Sequence, residues 1–107
     1  MNFPNDETGQ VLSEMHQAGI DLTKEHDVVF FHLFEQQSQA QEMANFISET
    51  MPSARVDLHK DETPNVWDVD CTLVMVPNYD NVIEQEHAFE KVAAKYSGYN
   101  DGWGIEA

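Results

Sequence analysis

Tyr99-Asn-Asp-Gly-Trp-Gly104, with Ile105, Glu106 and Ala107 behind it, sets two glycines around a tryptophan near the C-terminus. Asp101-Gly102 is a turn pair in which the glycine takes positive φ without steric cost, and it delivers Trp103 at a fixed angle. If Tyr99 to Glu106 holds a last short strand, the upstream segments complete the order strand-helix-strand-strand-helix-strand behind one extra helix.

Working back from that stretch, Gly98 closes a helix that Asn78 or Asp80 can cap. Its apolar stripe is Phe89, Val92, Ala93 and Tyr96, with Asp80 and Glu84 near its start and Lys91 and Lys95 near its end, as the helix dipole favours. Before it, Trp67, Val69, Cys71, Leu73 and Met75 alternate with Asp68, Asp70 and Thr72, and Val74 and Val76 make the far end apolar on both sides. A polar loop from Lys60 to Asn65 separates this strand from a half-exposed one in which Ala54, Val56 and Leu58 alternate with Arg55, Asp57 and His59. Ser38 is expected to cap a helix carrying Ala40, Met43, Ala44, Ile47 and Met51 at helical spacing, ended by Pro52. Asp27-Val-Val-Phe-Phe-His-Leu-Phe-Glu35 is apolar at odd and even positions alike, as a central strand is. Asn5 or Asp6 caps a first helix with a narrow stripe of Val11, Leu12, Met15 and Ala18, stopped by Gly19.

This order predicts an α+β fold: a ferredoxin-like split βαβ two-layer sandwich (βαββαβ, an antiparallel four-stranded sheet) with an extra N-terminal helix. In that topology the first and third strands are central, and they are the two most apolar. At 107 residues the chain makes one domain spanning 1–107, without repeats or an interdomain linker.

Twenty Asp and Glu against five Lys and Arg give a formal net charge of −15, which repels phosphate backbones and argues against direct nucleic-acid binding. A field of that sign attracts arginine- or lysine-rich partners, although acidity also serves solubility alone. The single Cys71 forbids an intrachain disulfide, and neither a secretory signal nor a membrane-spanning run is present. A reducing, cytoplasmic setting is expected.

No catalytic pattern emerges. Cys71 sits mid-strand, no serine occupies a nucleophile elbow and no glycine-rich loop follows a strand. His32 falls in a central strand, while His16, His26 and His87 fall on polar or helical surfaces. Asn78-Tyr-Asp80 starts like a calcium loop, but Ile83 and Phe89 hold the places of its glycine and terminal acid. Asp57-x-His59 and Asp68-x-Asp70 each put two potential ligands on one side of neighbouring strands. A small-ligand or metal-binding domain built on Asp57, His59, Asp68 and Asp70 is therefore the alternative reading, although two-residue spacings are weak motifs and no cofactor is expected.

Lys95-Tyr-Ser-Gly-Tyr-Asn-Asp-Gly-Trp-Gly104 resembles the ending of the family called regulator of ribonuclease E activity B (RraB). Glu14-Met-His-Gln-Ala-Gly-Ile-Asp21, with its helix end and Gly-x-Asp, and Asp70-Cys-Thr-Leu73 before an acidic helix occur in the same order as in that family. The resemblance covers essentially the whole chain. It implies a non-catalytic protein that binds the non-catalytic, disordered, arginine-rich region of the endoribonuclease ribonuclease E and reduces its activity on particular transcripts. Better-known members carry an acidic tail after the Trp-Gly ending, whereas this sequence stops at Ala107, so weaker binding or another partner is expected if that tail contributes.

The candidate protein-binding residues are Asp101, Gly102, Trp103 and Gly104, with Asp68 and Asp70 on a second surface. Trp103 either packs under the third helix near Phe89 and Tyr96, or stands partly exposed beside Asp101 to take a guanidinium by cation–π contact plus charge. If Trp67, Val69, Cys71 and Leu73 face the helices, Asp68, Asp70 and Thr72 face away, making an acidic and aromatic patch with one face of the first strand. The first helix lies across that patch or packs elsewhere. A homodimer through an open sheet face or edge is a further possibility.

Overall fold

The computed structural model describes residues 3–106. Its elements are α1 (Glu7–Gln17), β1 (His26–Phe34), α2 (Gln37–Thr50), β2 (Arg55–Lys60), β3 (Trp67–Met75), α3 (Tyr79–Lys95) and β4 (Tyr99–Ile105). The strands form one open antiparallel sheet in the order β2-β3-β1-β4, and the terminal stretch is indeed a strand, paired with β1. Helix α2 thus joins two parallel strands, β1 and β2, with β3 between them, and α3 joins β3 and β4 with β1 between them. The fold is α+β, a four-stranded antiparallel sheet with three helices.

Strand pleating sorts the side chains. Val28, Phe30 and Phe34 of β1 and Val69 and Cys71 of β3 point to the helix side. There they pack with Ala40, Met43 and Ile47 of α2 and Val82, Phe89 and Ala93 of α3. Phe30 and Phe89 meet at a ring-centroid distance of 5.3 Å and an interplanar angle of 54°, a tilted pair of the kind aromatic quadrupoles favour. Each such fully buried phenylalanine is worth about 1.5–3 kcal/mol of transfer free energy. His32 shares this face at 0% exposure, set edge-on to Phe89, and its Nδ1 lies 3.1 Å from the carbonyl oxygen of Val69. Burial disfavours its charged form and lowers its pKa, against the raising influence of the Val69 hydrogen bond, Glu90 and Asp101. Cys71 is buried too, and desolvation, with the charge of Asp70 adding to it, pushes its thiol up to about 12, which leaves it inert.

Helix α1 packs on α3 and leaves the far face of the sheet uncovered. Asp6 caps it, its Oδ1 accepting from the Gly9 N–H at 2.8 Å, and its other carboxylate oxygen accepts from the Tyr79 hydroxyl at the start of α3. The residues α1 buries are Thr8, Gly9 and Leu12, so of the expected stripe only Leu12 is fully buried and Ala18 is exposed. The burial of Gly9 goes with close packing of the chain's own start: a Cβ on Gly9 would stand 1.8 Å from the Pro4 carbonyl oxygen. Two further details differ from expectation. Helix α2 begins at Gln37 with Gln36 at its cap position and no side-chain cap, so Ser38 lies inside the first turn. At the end of α3 the left-handed position is Ser97 (φ 67°), and Gly98 follows it, donating to the Ala93 carbonyl oxygen at 2.8 Å. Among the described residues no helix is long and apolar enough to cross a membrane.

Candidate functional site

The open face of the sheet is ordered by register. Arg55, Thr72, Val29 and Gly104 stand in one row across the four strands; Asp57, Asp70 and Phe31 stand in the next; His59, Asp68, Leu33 and Tyr99 stand in the third. One half of the face is therefore acidic and the other apolar. Tyr99 is 48% exposed, and the Phe31 ring leans over β4, its Cε2 3.8 Å from where a Cβ on Gly104 would be.

His59 holds the acidic half together. Its Nδ1 lies 2.9 Å from Asp57 Oδ2 and 3.9 Å from Asp70 Oδ2, and its Nε2 lies 3.1 Å from Asp68 Oδ2. Partial desolvation disfavours the imidazolium, but the hydrogen bond to Asp57 and the charges of Asp70 and Asp68 outweigh it, so the pKa is raised. Asp68 is pushed up to about 6, by desolvation first and then by Asp61 and Asp70, with His59 pulling the other way. Its Oδ1 is buried with no hydrogen-bond partner among the described residues. Asp70 is raised too, chiefly by desolvation, and the charges of Asp57, Glu106 and Asp101 add to it against His59. One imidazole thus serves three carboxylates, leaving excess negative charge on a surface that opens to solvent.

Ligand atoms of Asp57, His59 and Asp70 lie within 4.8 Å of one another, so these residues could furnish a cation site. Both ring nitrogens of His59 already face carboxylates, so when protonated the imidazole is itself the cation of the group.

At the top of the face Arg55 reaches Glu106 with an N–O distance of 2.5 Å, joining the outer strand β2 to the residue that follows β4. Thr72 and Val29, which occupy the row between them, are each only 6% exposed.

The C-terminal motif lies at the β4 edge. Opposite Phe31 the β1–β4 register slips, so that Asp101 and Gly102 occupy the place of one residue. Gly102 takes φ 99° there, and its N–H donates to Asn100 Oδ1 at 2.9 Å. The slip turns Trp103 to the helix side, opposite Phe30, whereas Gly104 faces the open side. Trp103 is half-buried: it packs on the core that contains Phe89, and it also lines a cavity of about 410 Å³ against α1. Tyr96, its other expected neighbour, pairs with Phe46 at 6.2 Å.

Of the six candidate residues, Asp68, Asp70 and Gly104 share the open face; Trp103 belongs to the other side, with Asp101 and Gly102 at the edge between. His59 emerges as the centre of the acidic half, and its alternation with Asp57 was the available signal. Phe31 and Leu33 were signalled only by the two-sided apolarity of β1, and Tyr99 only by its place in the stretch expected to form the last strand. Glu7 and Glu86, which meet Trp103 across the cavity, come from two helices whose packing no local pattern reveals.

No curated protein matches the sequence. The family model described as regulator of ribonuclease activity B matches residues 5–105, from the segment ahead of α1 to the end of β4. Members of that family are regulators and not catalysts. With all seven elements inside the match, the chain belongs to the RraB family, the regulators of ribonuclease activity B.

Proposed function

We propose that the protein regulates an RNA-decay endoribonuclease of the ribonuclease E type by binding a basic, arginine-rich, non-catalytic segment of it on the open face of a ferredoxin-like scaffold. The carrying observation is the uncovered sheet face on which Asp57, Asp68 and Asp70 adjoin Phe31, Leu33 and Tyr99. Carboxylates in excess of their cations attract guanidinium groups, and the apolar strip gives the aliphatic stems and flanking residues a surface to desolvate. The net charge of −15 adds long-range steering toward such a segment and repels the RNA that the nuclease carries. The regulator and the substrate transcript therefore compete for the same cationic chemistry on the enzyme. A cytoplasmic location accompanies this reading.

The test is binding of the purified protein to labelled peptides that tile its own ribonuclease E, at low and moderate salt, beside an Asp68→Asn/Asp70→Asn variant. Salt-sensitive binding to one basic segment, weakened about tenfold or more in the variant, is the expected outcome. Absence of binding at low salt defeats the proposal.

A further inference from the structure

The cavity beside Trp103 lies on the opposite side of the sheet from the surface just described, and its chemistry is different in kind. Glu7 from the first turn of α1, Glu86 from α3 and Asp101 from the β4 bulge bring three carboxylates to its walls, and Trp103 and Val11 supply its apolar lining. None of the three carboxylates makes a salt bridge among the described residues, and none of the five Lys and Arg side chains lines the cavity. At about 410 Å³ it falls within the usual range of ligand pockets, roughly 300–1,000 Å³.

We infer that this cavity is a receptor slot for one arginine side chain of the basic partner segment. A guanidinium is flat, keeps its charge and donates in several directions at once, so it stacks on an indole while bonding to carboxylates on different sides. A lysine ammonium offers a point charge with no face to stack. The inference rests on the proposed function, since both surfaces serve one segment. That segment lies over Phe31 and Tyr99 on the open face and crosses the β4 edge at Asp101-Gly102, where the strand bulges away from a regular ladder. Its arginine then enters from the edge. Trp103 is thereby both a staple of the last strand and one wall of the slot.

The experiment follows the side-chain indole N–H resonance of Trp103 by NMR, assigned by its absence in Trp103→Phe, with Trp67 as the internal control. The protein, unaltered and as Glu86→Gln, a nearly isosteric change at a half-buried wall of the cavity, is titrated with N-acetyl-arginine amide, with N-acetyl-lysine amide and with the basic segment. The expected result is a saturable shift of Trp103 with the arginine amide, at least about fivefold weaker with the lysine amide and similarly weakened by Glu86→Gln. A stationary Trp103 signal, or equal responses to the two amides, overturns the slot. If the segment binds through Asp68 and Asp70 while Trp103 stays still, the slot falls and the sheet-face reading stands. If Trp103 responds to the arginine amide while the segment fails to bind, the slot stands and the sheet-face reading falls.

Discussion

Asp68 is a carboxylate whose ionisation the fold opposes, and its titration gives both stability and binding a pH signature. With a folded pKa of about 6 against an ordinary 3.8, the stability it supports is complete below pH 3.8 and is lost as pH rises through about 6. His59, also raised, loses its contribution in the same direction. Asp68→Asn is therefore expected to raise stability by about 1 kcal/mol at pH 8 and to change it little at pH 4, read by urea denaturation at both values. Affinity for the basic segment should move the other way, falling from pH 8 to pH 5.5 as Asp68 is neutralised and His59 charged. His32 opposes both in the stability curve: its pKa is lowered by burial, so its contribution is present above 6.5 and is lost as pH falls. Near the end of α3, two adjacent residues make a cleaner pair of tests. A Cβ on Gly98 would stand 2.3 Å from Phe34 Cε2, so Gly98→Ala should cost about 1–3 kcal/mol by overpacking. Ser97 holds φ 67°, so Ser97→Gly should add about 1 kcal/mol, both measured as shifts of the denaturation midpoint.

Among the elements, α1 stands apart because it packs chiefly on α3, with β4 facing it across the cavity beside Trp103. Leu12, 1% exposed, is its anchor, and Leu12→Ala should destabilise by about 2–4 kcal/mol. Amide exchange should then show α1 opening while β1 and β3 keep their protection, and a loss of protection shared by all three would mean that α1 belongs to the central cooperative unit. The strands and helices themselves were legible, since the alternation in β2 and β3 and the two-sided apolarity of β1 follow directly from their places in the sheet. The caps Asp6 and Asn78 were legible for a related reason: a short side-chain oxygen next to an apolar period has a local use. Ser38 offered the same signal falsely, because α2 starts two residues earlier than a Ser38 cap would place it, with Gln36 at the cap position and no side-chain cap. The partner of α1 was not legible. Its buried face depends on Pro4 pressing on Gly9 and on a hydroxyl 73 residues away in sequence, and neither leaves a periodic trace. The acidic pairs on β2 and β3 could be read from spacing, and helix-side packing of Trp103 near Phe89 was one of the two readings of that residue, whereas the register slip that turns it there could not be read.

Over the whole molecule, 20 acidic residues against five basic ones place repulsion on the folded state that salt relieves. Raising ionic strength from 10 to 150 mM should therefore stabilise the free protein by on the order of 1 kcal/mol, roughly 4–8 °C in Tm, while weakening its complex with the basic segment. A parallel response of the two quantities would show that self-repulsion does not limit stability. The same lopsided charge gives the link between Arg55 and Glu106 an unexpected meaning. Arg55 is the chain's single arginine, and it lies across the acidic sheet as a resident guanidinium. Under the proposed function, an incoming arginine that pairs with Glu106 competes with Arg55, so association at this end of the sheet is an exchange of one ion pair for another. Arg55→Ala would convert the exchange into a simple addition and is expected to tighten the complex. On that reading, the free protein rests with a placeholder for the incoming guanidinium already seated.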